Sequence, residues 1–174
     1  MGESLEPTLL QIATLFTLLR YEDPQLYKFL TRLEIPPYFA ISWVITWFAH
    51  DLDSLDNIAR IFDFCIATSP LAPLYISAAL TLENRDSIMR CEPEFAQVHT
   101  KLAALPQSIS ASDWQERILV RASGLMQCYP PPLLQYLSQA GLSVYSVVNT
   151  YNETQSMLRD RVEPVDIDEL LPTA

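Results

Sequence analysis

This 174-residue chain has two histidines, His50 and His99, whose side chains could take part in acid–base or metal chemistry. Neither has a His, Cys or Glu partner at a spacing that would hold zinc. His50 follows an apolar segment, so we expect it to interact with the negative carboxyl end of a helix. His99 lies between Phe95 and Leu102 and is expected to be a partly buried packing residue.

Three clustered aspartates, Asp51, Asp53 and Asp56, have the residue type of a calcium-binding loop. Their spacing does not fit, because Leu55 stands where the loop needs an oxygen ligand. Asp56 stands where the loop needs a glycine for its sharp turn. We therefore expect these carboxylates to cap a helix or to remain solvated.

The three cysteines, Cys65, Cys91 and Cys128, are odd in number and widely spaced, which suits neither a disulfide framework nor a zinc site. They predict reduced thiols in the core of a cytoplasmic protein. The chain has only three glycines, so a phosphate-binding glycine loop is absent, and so is a G-x-S-x-G elbow. We predict no catalytic, cofactor-binding or metal-binding residue and no cofactor.

The formal net charge of −10 disfavours binding to a phosphate backbone, so nucleic acid is not expected as a partner. The uncharged run from Tyr38 to Ala49 is too short to cross a bilayer, which needs about 20 apolar residues. We therefore predict no membrane span, and we expect this run to be a buried helix.

Few glycines and thirteen prolines between apolar, periodic segments predict an all-α fold with bundle-like packing. The segment from Leu74 to Arg85 is apolar on nearly all sides and should be central. The predicted helices cover about residues 8–20, 24–33, 38–49, 54–66, 74–85, 93–105, 114–129 and 132–139, with Gly141 ending the last.

Capping signals mark several of these helices. Asp23, followed by Pro24, should cap the second helix, and Asp53 or Ser54 should cap the fourth. Ser112, with Gln115 three residues later, has the spacing of a capping box. Pro106 should close the preceding helix, whose predicted apolar face consists of Phe95, Val98, Leu102 and Leu105. The predicted apolar face of the fourth helix consists of Leu55, Ile58, Ile61, Phe62, Cys65 and Ile66.

The stretch FAISWVITWFAHDLDSLDNIARIFDFCIATSPLAPLYISAALTL, from Phe39 to Leu82, resembles the second half of a TBC domain, the all-helical domain of Rab GTPase-activating proteins. The resemblance rests on an aromatic segment ending in Trp47-Phe48, an acidic turn, and the Arg-Ile-aromatic-Asp pattern from Arg60 to Asp63. The segments WFAH, SPLAPLYISAAL, CEPEFAQVHTKLAALPQ and ASGLMQCYPP are similar to the endoplasmic-reticulum branch of that family, so the likeness covers about residues 10–132.

Both catalytic motifs of that family are missing from the chain. In the family, an arginine in an I-x-x-D-x-x-R motif and a glutamine in a Y-x-Q motif promote GTP hydrolysis. Here no isoleucine is followed three residues later by Asp, and no tyrosine is followed two residues later by Gln. Arg60 belongs to a supporting segment of the family pattern and is not a substitute. Since an arginine finger is worth about 10³–10⁵ in rate, the chain alone is expected to be inactive.

The resemblance implies that the chain consists of the carboxy-terminal, bundle-like lobe of a TBC domain and a short helical extension. Residues 1–90 would be the TBC part, 91–141 the helical extension of the family, and 142–174 a weakly structured acidic tail. The missing first lobe and a Rab small GTPase would be its partners. The implied setting is vesicle traffic from the endoplasmic reticulum to the Golgi, in the cytoplasm at the cytosolic face of the reticulum.

Two alternatives stay open at this stage. The chain could be a non-catalytic helical protein that binds a Rab or acts as a scaffold. It could also be a half-domain that folds poorly alone, because the face that met the first lobe would be exposed and apolar.

Overall fold

A computed structural model describes residues 6–138, which contain helices and turns and no β-strand. The all-α prediction is therefore confirmed. The predictions for Gly141 and for the acidic tail lie outside the described residues. The α-helices are α1 (Glu6–Glu22), α2 (Pro24–Arg32), α3 (Ile41–Ile45), α4 (Leu55–Ala67), α5 (Ala72–Glu83), α6 (Arg85–Met89), α7 (Phe95–Ala103), α8 (Leu105–Ser108), α9 (Ala111–Asp113), α10 (Leu119–Cys128) and α11 (Pro131–Ser138). A 3₁₀ turn, Pro37–Ala40, precedes α3, and a π-turn, Trp114–Ile118, joins α9 to α10.

The centre of the fold is α5, in which every residue from Ala72 to Leu82 is buried. It packs against α1, α10, α3 and α4, so the prediction of a central helix is confirmed. Its buried serine and threonine hydroxyls are satisfied within the helix: Ser77 donates to the carbonyl of Pro73 at 2.7 Å, and Thr81 donates to the carbonyl of Ser77 at 2.8 Å. The helix can therefore be surrounded by apolar neighbours without leaving these hydroxyls unpaired.

Hydrogen bonds between nearby residues close both ends of α2. At its start, the Asp23 carboxylate accepts the N–H groups of Gln25 and Leu26 at 3.1 and 2.9 Å, which confirms the predicted cap. At its end, Glu34 has a left-handed φ of 54°. The N–H of Ile35 then donates to the carbonyl of Leu30 at 3.1 Å. This is a Schellman closure in which glycine is the usual left-handed residue.

The prediction of one helix over residues 38–49 is wrong. The chain forms the 3₁₀ turn and the five-residue α3, and then Trp47 and Phe48 adopt left-handed φ values of 50° and 65°. The N–H of Phe48 donates to the carbonyl of Trp43 at 2.9 Å, and the two rings stack with centroids 5.8 Å apart. An aromatic contact across the helix end therefore stops α3 and turns the chain.

The start of α4 is capped by Ser54, whose hydroxyl accepts the N–H of Asn57 at 3.4 Å. Ser54 is therefore the cap, and not Asp53. The predicted apolar face is wrong in part, because Leu55 and Ile66 are 80% and 75% exposed. The buried side chains of α4 are instead those of Asn57, Ile61 and Cys65, which are four residues apart. One of them, Asn57, is polar.

The segment around α7 and α8 differs from its prediction at both ends. Phe95, expected on the apolar face, is 50% exposed, while Val98, Leu102 and Leu105 are buried as predicted. Pro106 does not close a helix. It lies in the first turn of α8, where the missing N–H costs no hydrogen bond.

The helix that carries Trp114 begins earlier than predicted. Ser110, in extended conformation, is the cap, and its hydroxyl accepts the N–H of Asp113 at 3.2 Å. The capping prediction for Ser112 is wrong, because Ser112 already lies inside α9. The predicted end near Tyr129 agrees with the end of α10 at Cys128.

A row of aromatic side chains runs through the core from the 3₁₀ turn to the π-turn. Phe39 contacts Trp43 at 5.4 Å between ring centroids, Trp43 contacts Phe48, and Phe48 contacts Trp114 at 5.4 Å. These residues and α5 belong to one apolar cluster. The described chain therefore encloses a continuous core that extends across residue 90, and a division there stays a prediction.

Candidate functional site

Among the described residues, neither histidine side chain contacts a carboxylate or a nucleophile. The His50 side chain is exposed, and its backbone N–H donates to the hydroxyl of Thr46 at 3.3 Å, just beyond the end of α3. His99 is half-buried and its ring stacks on Phe95 with centroids 5.5 Å apart. The packing role predicted for His99 is therefore confirmed.

The acidic turn is tied to α3 by one of its aspartates. Asp53 and Asp56 are exposed, as expected for solvated carboxylates. Asp51 is half-buried and accepts a hydrogen bond from the hydroxyl of Ser42 at 2.9 Å, which ties the turn to α3. Within residues 6–138, no group of three His, Cys, Asp or Glu side chains could hold a metal ion.

All three cysteines are free thiols, as predicted, but only Cys65 is buried. Burial raises the pKa of Cys65 to about 12, so its thiol stays protonated and unreactive at neutral pH. Cys91 is half-buried and Cys128 is exposed, so the prediction that all three lie in the core is wrong.

The Arg-Ile-aromatic-Asp segment of α4 has a packing role. Ile61 is buried, and Phe62 contacts Trp47 with ring centroids 5.1 Å apart. Arg60 and Asp63 are exposed on the other side of the helix. The segment therefore fixes α4 against the strained turn at Trp47, and Arg60 is left in solvent.

Two ion-pair clusters, which the sequence pattern did not reveal, flank the end of α5. In the first, Glu83 accepts hydrogen bonds from Arg117 at 2.8 Å and from Arg121. Burial acts to raise the pKa of Glu83, but the hydrogen bonds from the two guanidinium groups outweigh it and the pKa is lowered. The cluster fastens α10 and the π-turn to α5.

In the second cluster, Arg85 donates from Nε to Asp23 at 2.5 Å and from Nη2 to Gln25 at 2.8 Å. One oxygen of Asp23 caps α2 while the other accepts from Arg85. Burial acts to raise the pKa of Asp23, but the hydrogen bonds from Leu26 and Arg85 lower it on balance. These partners are about 60 residues apart in sequence, and only the fold brings them together.

An open groove between α2 and α6, with a volume of about 490 Å³, is the candidate binding surface. Lys28 and Arg32 line it, one turn apart on α2, and Phe29 and Met89 supply apolar surface. Neither cation forms an ion pair with another residue of the described range. Positive charge beside apolar surface, on a chain of net charge −10, suits an acidic partner surface.

Arg85, Arg117 and Arg121 are held by carboxylates, and the histidines face no carboxylate or nucleophile among the contacts of residues 6–138. No helix in that part of the chain is both long and apolar enough to span a bilayer.

Comparison with known proteins relates this chain to TBC-domain proteins and GTPase-activating proteins. Residues 3–89 match the family described as Rab-GTPase-TBC domain. GTPase-activating protein gyp10 of Schizosaccharomyces pombe is 37% identical over 115 residues, covering 64% of this chain and 31% of that protein. TBC1 domain family member 20 of Homo sapiens is 34% identical over 109 residues, covering 63% of this chain and 26% of that protein. The chain thus spans less than a third of the length of these relatives.

The family match begins before α1 and ends at the last residue of α6. It therefore includes the strained turn at Trp47, the segment from Arg60 to Asp63 and the central helix α5. The matched residues make up half of the chain, and those that the structure describes form helices and turns without a strand, as the resemblance implied. The chain belongs to the Rab-GTPase-TBC domain family.

Proposed function

We propose that this chain is the carboxy-terminal lobe of a GTPase-activating protein for Rab GTPases, and that it lacks the residues that catalyse hydrolysis. The family match over residues 3–89 carries this proposal. It is supported by relatives whose names describe a GTPase-activating protein and a TBC1 family member. The setting that we propose is the cytosolic face of the endoplasmic reticulum, from the likeness to that branch of the family.

The arginines of the lobe support a positioning role. An arginine finger must extend towards the γ-phosphate, where it stabilises the charge that develops in the transition state. Arg117 and Arg121 instead hold Glu83, and Arg85 holds Asp23. Moving any of them towards a nucleotide would break contacts that fasten the helices. With the I-x-x-D-x-x-R and Y-x-Q motifs missing from the sequence, the lobe alone should not accelerate hydrolysis.

Single-turnover GTP hydrolysis by a panel of Rab proteins tests this proposal. With the chain added in excess, each Rab should hydrolyse GTP at its intrinsic rate, and the Arg60→Ala variant should behave identically. Acceleration by more than about tenfold would contradict the absence of a finger, since a finger is worth about 10³–10⁵. Loss of that acceleration in Arg60→Ala would identify Arg60 as the arginine responsible.

We assign the GTPase contact to the groove between α2 and α6. Lys28 and Arg32 offer charge for an acidic GTPase surface, and Phe29 and Met89 offer apolar contact. Pull-down by GTP-loaded Rab should fall in Lys28→Glu and be unchanged in Lys101→Glu, which makes the same charge change on α7. Equal loss in both variants would mean that net charge, and not the groove, governs binding.

A second candidate function is non-catalytic binding of a Rab, and the continuous core of the described chain favours it. Such a protein needs only the folded lobe. Adding the amino-terminal half of a relative that carries both motifs separates the two functions. Restored hydrolysis supports the lobe of an activator, whereas GTP-dependent binding with no acceleration supports a binding protein.

A further inference from the structure

The groove between α2 and α6 is lined by a row of three polar side chains, those of Gln25, Lys28 and Arg32. They are separated by three and four positions, which places them on one face of α2. The row is about 10 Å long, since a helix rises 1.5 Å per residue. The other lining residues, Phe29 and Met89, are apolar, so none of the residues that line the groove is acidic.

Arg85 fixes the orientation of the Gln25 amide. Its Nη2 donates to Oε1 of Gln25 at 2.8 Å, while its Nε donates to Asp23. A guanidinium has donors only, so the amide oxygen must face Arg85. The amide nitrogen, with its two N–H groups, has no acceptor among the contacts of residues 6–138. Since Gln25 lines the groove and Arg85 does not, this nitrogen is the polar group that Gln25 offers to a ligand there.

We propose that Gln25 is a specificity-determining residue that donates to a carboxylate of the bound GTPase, and that Arg85 is the positioning residue that turns the amide nitrogen towards the groove. Lys28 and Arg32 also have donors and no acceptors, so every polar group along the row suits an anionic oxygen. A partner without an acceptor at this position would cover the Gln25 N–H groups and leave them unpaired, which weakens binding. This contact rests on the proposed function, which places a Rab GTPase in the groove.

Gln25→Glu separates this role from a purely structural one, because the two roles predict opposite effects. The carboxylate keeps an acceptor for Arg85 and adds negative charge in the first turn of α2, so it should not lower the midpoint of thermal unfolding. It also removes both N–H donors and repels a carboxylate of the GTPase. The dissociation constant for GTP-loaded Rab, measured by titration calorimetry, should therefore rise by at least about tenfold.

Two further variants control this measurement. Gln127→Glu makes the same change at an exposed site on α10 and should leave the dissociation constant unchanged. Gln25→Ala removes the donors without adding charge, and should raise the constant by a smaller factor, about two- to tenfold. Unchanged binding in Gln25→Glu, or an equal loss in Gln127→Glu, would overturn the proposal.

A double-mutant cycle tests the positioning role of Arg85. Arg85→Lys keeps the positive charge but lacks the planar guanidinium that bonds Asp23 and Gln25 together. It should weaken Rab binding about threefold in the wild-type chain and have no further effect in Gln25→Ala. Equal weakening in both backgrounds would indicate a general loss of structure and would overturn the positioning role.

Nuclear magnetic resonance of the full chain tests the Gln25 contact without a Rab. The side-chain amide signals of Gln25, identified by their absence from Gln25→Glu, should shift on addition of a hexaglutamate peptide, and those of Gln127 should shift less. Such shifts, with no binding of any Rab, would contradict the proposed function and support the carboxylate contact. Unmoved Gln25 signals would overturn the contact.

The same signals distinguish the GTPase from the missing first lobe as the occupant of the groove. GTP-loaded Rab should shift the Gln25 amide signals, and the amino-terminal half of a relative should not. If the amino-terminal half shifts them and the Rab does not, the groove meets the rest of the domain, and the contact with the GTPase is overturned.

Discussion

Phe48 closes α3 by returning to Trp43: its N–H donates to the Trp43 carbonyl at 2.9 Å, and the two rings stack 5.8 Å apart with an interplanar angle of 22°. The contact occupies the position where a helix end commonly places an apolar pair. It also directs Phe48 towards Trp114, with ring centroids 5.4 Å apart. One side chain thus joins the family-matched segment to the helical run that contains α10.

Truncation of the Phe48 side chain should therefore destabilise the whole core. Phe48 is fully buried, and Phe48→Ala should lower the free energy of unfolding by about 3–5 kcal/mol, measured by urea denaturation. Tyr136→Ala, at a site 79% exposed, should change it by less than about 0.5 kcal/mol. If Phe48→Ala is too unstable to purify, Phe48→Leu should show a smaller loss in the same direction. A loss below about 1 kcal/mol in Phe48→Ala would contradict this packing role.

A substitution at Glu34, in contrast, should stabilise the folded protein. Its left-handed φ of 54° is unfavourable by about 1 kcal/mol for a residue with a Cβ atom, and glycine lacks that atom. Glu34→Gly should raise the free energy of unfolding by about 0.5–1 kcal/mol. The midpoint of thermal unfolding should rise with it. Glu34→Ala keeps the Cβ atom and removes the same carboxylate, so it should give no gain. A gain in both variants would point to the charge and not to the backbone.

Local signals in the sequence predicted much of the fold. The run of apolar residues around Tyr75 identified α5 as the central helix, because a helix that is apolar on all sides must be buried. Asp23 followed by Pro24 gave the start of α2, since both features act within one turn. These two predictions were correct because a few neighbouring residues determine the structure there, whereas the equally local signals at Ser112 and Pro106 were misleading.

The parts that were not predicted depend on distant contacts or on strain. No glycine marks the left-handed turn at Trp47, so nothing local indicated that α3 would stop there. Glu83 and Arg117 are 34 residues apart, and neither lies in a recognisable motif. The exposure of Leu55 and Ile66 on α4 was missed for a related reason: periodicity shows that a face is apolar, but not whether another helix covers it.

The hydroxyl of Tyr75 links α5 to the end of α10. It donates to the carbonyl of Tyr129 at 2.6 Å, across 54 positions in the sequence, and burial raises the pKa of Tyr75 so that the hydroxyl stays protonated. Tyr75→Phe keeps the ring and removes this bond, which should lower the free energy of unfolding by about 0.5–1.5 kcal/mol. Tyr21→Phe, at an exposed ring, is the control and should have little effect. An unchanged unfolding curve for Tyr75→Phe would show that the bond contributes nothing net.

The ion-pair cluster at Glu83 should make the stability of the fold sensitive to acid. Burial acts to raise the pKa of Glu83, but the hydrogen bonds from Arg121 and Arg117 lower it further than burial raises it. The folded-state pKa therefore lies below that of the unfolded chain, and the native state binds fewer protons. The contribution is fully present above the unfolded pKa, about 4.3, and is lost as the pH falls through the folded pKa.

Urea denaturation of wild type should consequently show a free energy of unfolding that falls as the pH is lowered from about 5 to about 3. Glu83→Gln should make this fall shallower, because the side chain no longer titrates. Part of the fall should remain, since the pKa of Asp23 is also lowered by its hydrogen bonds and by Arg85. Glu116→Gln removes an exposed carboxylate that takes no part in the cluster and should leave the slope unchanged. An equal change of slope in Glu83→Gln and Glu116→Gln would mean that net charge, and not the pairing with Arg117 and Arg121, sets the acid sensitivity.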